Sequence, residues 1–358
     1  MLCVVSVVDS ISATSMPINE FVIYRSTHNF IMKQVLIVCD KNVPSNVPIP
    51  ENVQVILTGM KKREIKNAVK QVLRSYKEDD IVFHMHHQKS ALAFFSATIG
   101  MGVYKHSLYT VHSTFSARNF KYKVSSCLCT LISKYANCVS DAAFEEYALW
   151  VKKIKDRRFL SIPNGVDVDR IDRIIQNNPA VSDRKTMICV GRMIPLKNHE
   201  FLIRLMPKLS DYKLILIGAE DKEGKIRSLA KELNVVDRIE FTGLISRDEV
   251  FRKLNSASIY VSASYIEGLP VSVLEAMRVG LIPIISEIKP HQEIAKECEG
   301  VNVLPLIPES WEKVIQYYGE LDQSEFDLQA NTIKESVKEK FSLDKMHKEY
   351  LSIYKKLI

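Results

Sequence analysis

Along most of this 358-residue chain, short apolar runs alternate with longer stretches in which apolar positions recur every three or four residues. The short runs predict strands over 3–8, 34–38, 53–57, 81–84, 107–111 and 158–162 in the first half. Amphipathic helices are expected between them at 61–75, 89–99, 120–135 and 143–153. The second half repeats the scheme, with strands over 186–190, 213–217, 238–241, 258–261, 282–285 and 301–304. Its helices are expected near 198–209, 223–233, 247–255, 271–279 and 290–297, and after Pro308 the pattern is helical to the last residue. Apolar strands that alternate with helices belong in parallel sheets covered on both faces, an α/β fold. Two such runs predict two Rossmann-like domains of about six strands each, over 1–165 and 166–340. The break falls at Pro163-Asn164-Gly165, a turn signal before a polar stretch through Asn177, Asn178 and Pro179. Residues 341–358 are expected to form a last helix that packs back on the first domain.

The charge differs between the halves. Residues 1–165 hold 21 basic and 12 acidic residues, a net +9, whereas 166–358 hold 28 and 30, a net −2. The overall balance, 46% hydrophobic and 25% charged, is that of a globular chain and excludes disordered and coiled-coil classes. The seven cysteines are odd in number and scattered through apolar segments, which implies a reducing, cytoplasmic setting. Cys127 and Cys129 lack the further ligands a zinc site needs. The longest apolar stretch, 90–104, is shorter than the roughly 18 residues of a membrane span and reads as a buried helix. The opening MLCVVSVVDS has no basic leader and reads as a strand, not a signal peptide.

In open parallel sheets, ligands bind beyond the carboxyl ends of the strands, so the chemistry is sought there. After the strand at 186–190 comes Gly191-Arg192-Met193-Ile194-Pro195-Leu196-Lys197-Asn198, a tight turn with two cations five residues apart. The planar Arg fork and the Lys point charge together suit a diphosphate. After the strand at 258–261 comes Ser262-Ala263-Ser264-Tyr265-Ile266-Glu267-Gly268-Leu269-Pro270, then a helix that contains Glu275. Gly268 supplies a flexible approach and Pro270 a first-turn proline, so the helix start offers amides and a positive dipole end to a phosphate. Glu267 and Glu275 are placed to read sugar hydroxyls. Each segment taken alone reads better as ordinary surface charges.

In combination they are far more specific. Arg192 and Lys197, with the E-x7-E of Glu267 and Glu275 inside EGLPVSVLEAMRVGLIPI, resemble the retaining glycosyltransferases of family 4. The likeness runs from about Ser161 to Leu306 and takes in IPNGVD, VGRMIPLKN, LILIG and IEFTGLI; it fades before Ser161. It implies a GT-B fold, two Rossmann-like domains whose parallel sheets face an interdomain cleft, and transfer from a nucleotide-diphosphate sugar to an acceptor hydroxyl. By this likeness Arg192 and Lys197 bind the diphosphate beside Gly191, Glu267 the donor sugar and Glu275 the ribose. The amides of Leu269, Val271 and Ser272, approached through Gly268, meet sugar and phosphate, and Thr242, Gly243 and Leu244 lie near the base. His112, at the end of the strand 107–111, resembles the family's active-site histidine. No metal or other cofactor is expected. His84, His86 and His87 are dense enough to suggest a metal or an acceptor lining, but no carboxylate or cysteine accompanies them. Asp167-Val168-Asp169 spells the DxD of another glycosyltransferase fold and is read as a decoy. The sequence departs from the family at the loop 9–17, which lacks the usual Gly-Gly, and at Pro270, where glycine is common.

The basic residues at 61–74, 121–123 and 152–158 suit an anionic membrane surface and an acceptor on a lipid-linked saccharide. The expectation is a peripheral enzyme at the inner face of the plasma membrane, extending a bacterial surface polysaccharide, with UDP-sugars slightly favoured over GDP-sugars. A dinucleotide oxidoreductase is disfavoured by the want of a GxGxxG after any predicted strand. Nucleic-acid binding is disfavoured because no aromatics interleave the basic clusters. A GT-B nucleotide-sugar epimerase is the nearest alternative.

Overall fold

The computed structural model describes every residue except 1, 13–16, 29–31, 42–46, 48, 78–79, 113, 116–117 and 180–182. The chain divides into two compact units, Met1–Asn164 with Leu343–Ile358, and Gly165–Ser342.

The first unit is built on a seven-stranded sheet with every pairing parallel. Its strands are β1 (Cys3–Val8), β2 (Lys33–Val38), β3 (Val53–Leu57), β4 (Ile81–Met85), β5 (Ser107–Val111), β6 (Tyr135–Cys138) and β7 (Phe159–Ser161). They lie in the order β3-β2-β1-β4-β5-β6-β7. The two-residue repeat of a strand assigns the faces of β1. Cys3, Val5 and Val7 join the core beneath the helices Lys62–Ser75, Gln88–Ala97 and Phe120–Ile132. Val4 points the other way, into a core closed by Phe21 and by Tyr350 and Tyr354 of the C-terminal helix Leu343–Lys355. With both faces covered, β1 and β4 are buried along their whole length, which is why they read as unbroken apolar runs.

The second unit carries six parallel strands: β8 (Asp183–Val190), β9 (Lys213–Ile217), β10 (Ile239–Gly243), β11 (Ala257–Ser262), β12 (Ile282–Ser286) and β13 (Asn302–Leu304). Their order is β10-β9-β8-β11-β12-β13. The helices Val271–Val279 and Gln323–Lys340 pack together over the sheet, and one core runs from Val166 to Phe341.

Several expectations are corrected. Tyr135–Cys138 is a seventh strand, not the tail of the preceding helix, which stops at Ile132. The helix expected at 143–153 is two, Asp141–Glu145 and Leu149–Lys155. The polar stretch after the break is a helix, Val168–Asn177, capped by the Asp167 side chain on the Arg170 amide. The helical segment Pro17–Ile23 with Tyr24–Thr27 was not anticipated. Pro270 stands at the N-cap of its helix and not in the first turn, its ψ of 98° being extended.

His84 and His86 do not line a surface. Both are buried in the core beneath the C-terminal helix. The Thr110 hydroxyl donates to Asn137 Oδ1 at 2.7 Å, so it accepts from His84 Nε2 at 2.7 Å. That leaves His84 Nδ1 to accept from the Tyr354 hydroxyl at 2.8 Å, while Arg25 Nη2 donates to Tyr354 Oη at 2.5 Å. Arg25 Nε donates to His347 Nδ1 at 3.3 Å, and His347 Nε2 then donates to the Glu20 carbonyl at 2.7 Å. Burial holds the imidazoles of His84 and His347 well below their usual range, in keeping with these neutral tautomers.

Candidate active site

Each sheet has one place where the strand order reverses, and ligands of such sheets collect there. In the second unit it lies between β8 and β11, whose carboxyl ends carry the two loops that sequence chemistry singled out. The β8 loop holds Gly191, Arg192 and Lys197, and the β11 loop holds Ser262 to Pro270. The Tyr265 amide donates to the Leu196 carbonyl at 2.9 Å and ties the loops together.

Lys197 Nζ and Glu267 Oε1 form an ion pair at 2.5 Å, and the Glu267 side chain is only 10% exposed. The Ser264 hydroxyl donates to the same oxygen at 2.7 Å. Ser264 is itself held by the Ser286 hydroxyl, which donates to its carbonyl at 2.5 Å, and His291 Nδ1 donates to the Ser286 carbonyl at 2.7 Å. Burial pushes the His291 pKa down to about 4, so the ring is neutral. The Lys197 stem lies over Gly191, where a Cβ would sit 3.5 Å from Lys197 Cε. Arg192 is exposed on the same loop.

Beside this pair the edge continues through the neighbouring strand ends. The Gly191 amide donates to the Ile217 carbonyl at 2.8 Å, and the Gly218 amide to the Gly243 carbonyl at 3.0 Å. Gly218 has φ of +141°, and a Cβ there would meet the Gly191 carbonyl oxygen at 2.2 Å, so only glycine lets β8 and β9 approach this closely. Thr242 and Gly243 end β10, and Leu244 beyond them is exposed. On the other side, Gly268 and Leu269 lead into the helix that begins at Val271, whose first amides have no acceptor within the helix. The Ser272 hydroxyl accepts from Tyr260 at 2.9 Å. Glu275, one turn deeper, is buried and accepts from Arg247 Nη2 at 2.5 Å. Burial raises its pKa, and the nearby guanidinium works against that rise.

The structure therefore brings Gly191, Arg192, Lys197, Thr242, Gly243, Leu244, Glu267, Gly268, Leu269, Val271, Ser272 and Glu275 to one edge of the second sheet.

 All twelve stand at or just beyond the carboxyl ends of β8, β10 and β11. Ser264, Ser286, His291 and Arg247 are not legible as their supports from sequence, because those contacts span from three to 28 residues and follow no periodicity.

His112 belongs to the first unit and follows β5 directly. Its Nε2 is buried and has no hydrogen-bond partner among the described residues. Burial, with His87 close by, pushes its pKa down to about 3, so the ring is neutral. At the order reversal of the first sheet, between β1 and β4, the Asp9 carboxylate accepts from the Ser90 amide at 2.7 Å. The Asp9 amide donates to His87 Nδ1 at 3.2 Å. Residues 13–16 of the glycine-free loop lie outside the described residues. Among the described residues, no group of three or more His, Cys, Asp or Glu side chains is arranged to hold a metal ion. No helix among them is long and apolar enough to cross a membrane.

Residues 170–336, within the second domain, match the family model of glycosyl transferases group 1. An uncharacterised glycosyltransferase of Methanocaldococcus jannaschii is 28% identical over 227 residues, covering 61% of this chain and 52% of that protein. The GDP-mannose:cellobiosyl-diphosphopolyprenol alpha-mannosyltransferase of Xanthomonas campestris is 28% identical over 162 residues, 43% of this chain and 42% of that protein. The chain thus spans about half the length of the curated relatives it matches. Sucrose-phosphate synthase from Thermosynechococcus elongatus has the same fold, with a TM-score of 0.82 at 16% identity over 100% of this chain and 99% of that one.

Proposed function

We propose that the protein is a retaining glycosyltransferase that moves a sugar from a nucleotide-diphosphate donor to an acceptor hydroxyl. The observation that carries this reading is the Lys197–Glu267 pair at the order reversal of the second sheet, beside the start of the helix Val271–Val279. A diphosphate leaving group gathers negative charge as the sugar becomes oxocarbenium-like. Lys197, Arg192 and the helix amides are the groups that would stabilise that charge, each worth about 3–4 kcal/mol in sites of this kind. Glu267 would hold Lys197 in position before the donor arrives and bind the sugar hydroxyls afterwards. Glu275 would take the ribose, residues 242–244 the base, and His112 the donor sugar. With cations of the chain supplying the neutralisation, the reading calls for no metal.

For the acceptor, the reading is a saccharide on a lipid carrier in the synthesis of a bacterial surface polysaccharide, reached by a peripheral protein at the cytoplasmic face of the membrane. The name of the Xanthomonas relative, with its diphosphopolyprenol acceptor, supports this, as does the net +9 of residues 1–165. UDP-sugars are tested beside GDP-sugars, the donor in that relative's name. A thermal-shift panel of UDP, GDP and ADP should give one stabilising nucleotide. With the matching donor, Lys197→Ala and Arg192→Ala should each lower turnover by about 10²–10³ while the fold survives. Transfer at the wild-type rate by either variant would refute the assignment.

A further inference from the structure

We propose that the first domain presses side chains of its helices Phe120–Ile132 and Leu149–Lys155 into the surface of an anionic membrane. The proposal rests on the membrane location given above and names the surface that makes the contact. Phe120, Val124, Leu128 and Ile132 recur every four residues on the first helix and are between 43% and 80% exposed. At 100° per residue they share one face, opposite the buried Ser126, Cys129 and Thr130. The second helix repeats the arrangement: Leu149, Trp150 and Ile154 are more than half exposed, while Val151 and Lys155 are buried. Seven of the 19 exposed large hydrophobic residues among those described thus come from two short helices.

Nothing in a water-facing surface favours such stripes, and their charges say what covers them. Lys121 sits within the first stripe and Lys153 within the second, and neither helix contains an acidic residue. Residues 118–158 hold nine basic and four acidic side chains. A second copy of the chain would bring lysine against lysine. Lipid phosphates would pair with these cations while acyl chains receive the apolar face, and a tryptophan is the side chain best suited to that boundary. The patch is also stiff. The buried Lys155 ammonium donates to the Ser133 carbonyl and, at 3.2 Å, to that of Lys134, pinning one helix to the end of the other.

The test uses the whole chain with vesicles of phosphatidylcholine, alone or mixed with phosphatidylglycerol. The protein has two tryptophans, and Trp311 is wholly buried in the second domain, so a change in emission reports Trp150. The expected result is a blue shift and co-sedimentation with the anionic vesicles, weakened by salt. Phe120→Ser with Leu128→Ser and Ile154→Ser should weaken binding at least tenfold and leave stabilisation by the donor nucleotide unchanged. Lys121→Glu with Lys153→Glu, which touches no apolar contact, should weaken it similarly at low salt. Wild-type sedimentation without a blue shift, unaffected by either set, would overturn this surface and leave the membrane location standing. No sedimentation at all would overturn both. A dimer in sedimentation velocity that the serine substitutions dissolve would overturn the proposal in favour of a second copy.

Discussion

Glu267 and Lys197 meet across 70 positions of sequence, and what keeps Glu267 at its post is a serine three residues earlier. Without the Ser264 hydroxyl, the carboxylate keeps its lysine but loses the bond that fixes its rotamer. A hydrogen bond to a charged group is worth about 1.5–3 kcal/mol. Ser264→Ala should therefore lower kcat about tenfold, with KM for the donor changed less, in steady-state assays of transfer. Buried histidines add a pH dependence to the same domain. Burial pushes His199 and His291 down to about 4 from a value near 6.5. Below pH 6.5 the unfolded chain takes up protons that the folded one refuses until about pH 4. Their stabilising contribution is thus complete above 6.5 and is lost as the pH falls towards 4. Between pH 7 and 5 each should cost about 2 kcal/mol. Denaturant titrations at both pH values should show the loss, and His199→Gln with His291→Gln should reduce it by their share, the buried histidines of the first domain supplying the rest.

At the scale of elements, the alternation of apolar strands and amphipathic helices made both sheets legible, because a doubly covered strand is apolar along most of its length. What escaped notice has particular causes. Tyr135–Cys138 is four residues long and follows a helix with only two residues between them, too short to show a period of its own. Val168–Asn177 buries only Val168 and Ile171, so its composition is that of a linker although its charges lie on one side. At the site, side chains set by local motif were legible, whereas Arg247, the partner of Glu275, was not, since it depends on how two helices pack. Gly218 is another such case, visible only in the approach of β9 to β8. Gly218→Ala should destabilise the second domain by about 1–3 kcal/mol and weaken nucleotide binding, since both the positive φ and the contact with Gly191 resist a methyl group. Differential scanning calorimetry with and without the nucleotide checks both effects.

At the scale of the molecule, the first domain is completed by residues that come after the whole of the second. Leu343, Met346, Tyr350, Ile353 and Tyr354 fill its core, and the Tyr354 and His347 side chains accept from the buried Arg25. Removing 343–358 would strip that apolar cover and strand a buried guanidinium. The expected outcome is loss of the first domain's cooperative unfolding transition, with the second domain's transition and its response to nucleotide retained. Calorimetry of the truncated chain, with Arg25→Met as a milder lesion, tests this.

That return of the chain also sets a timetable. On the ribosome, residues 165–342 are made between the two parts of the first domain. At about 5–20 residues per second, they keep its sheet waiting roughly 10–35 s for its last helix. Meanwhile Val4, Val82 and Leu108 lack the cover they have in the finished protein. The second domain, continuous in sequence, can close first. The nascent first domain is therefore the part for which a chaperone matters, and slower translation of 165–342 should lengthen its exposure.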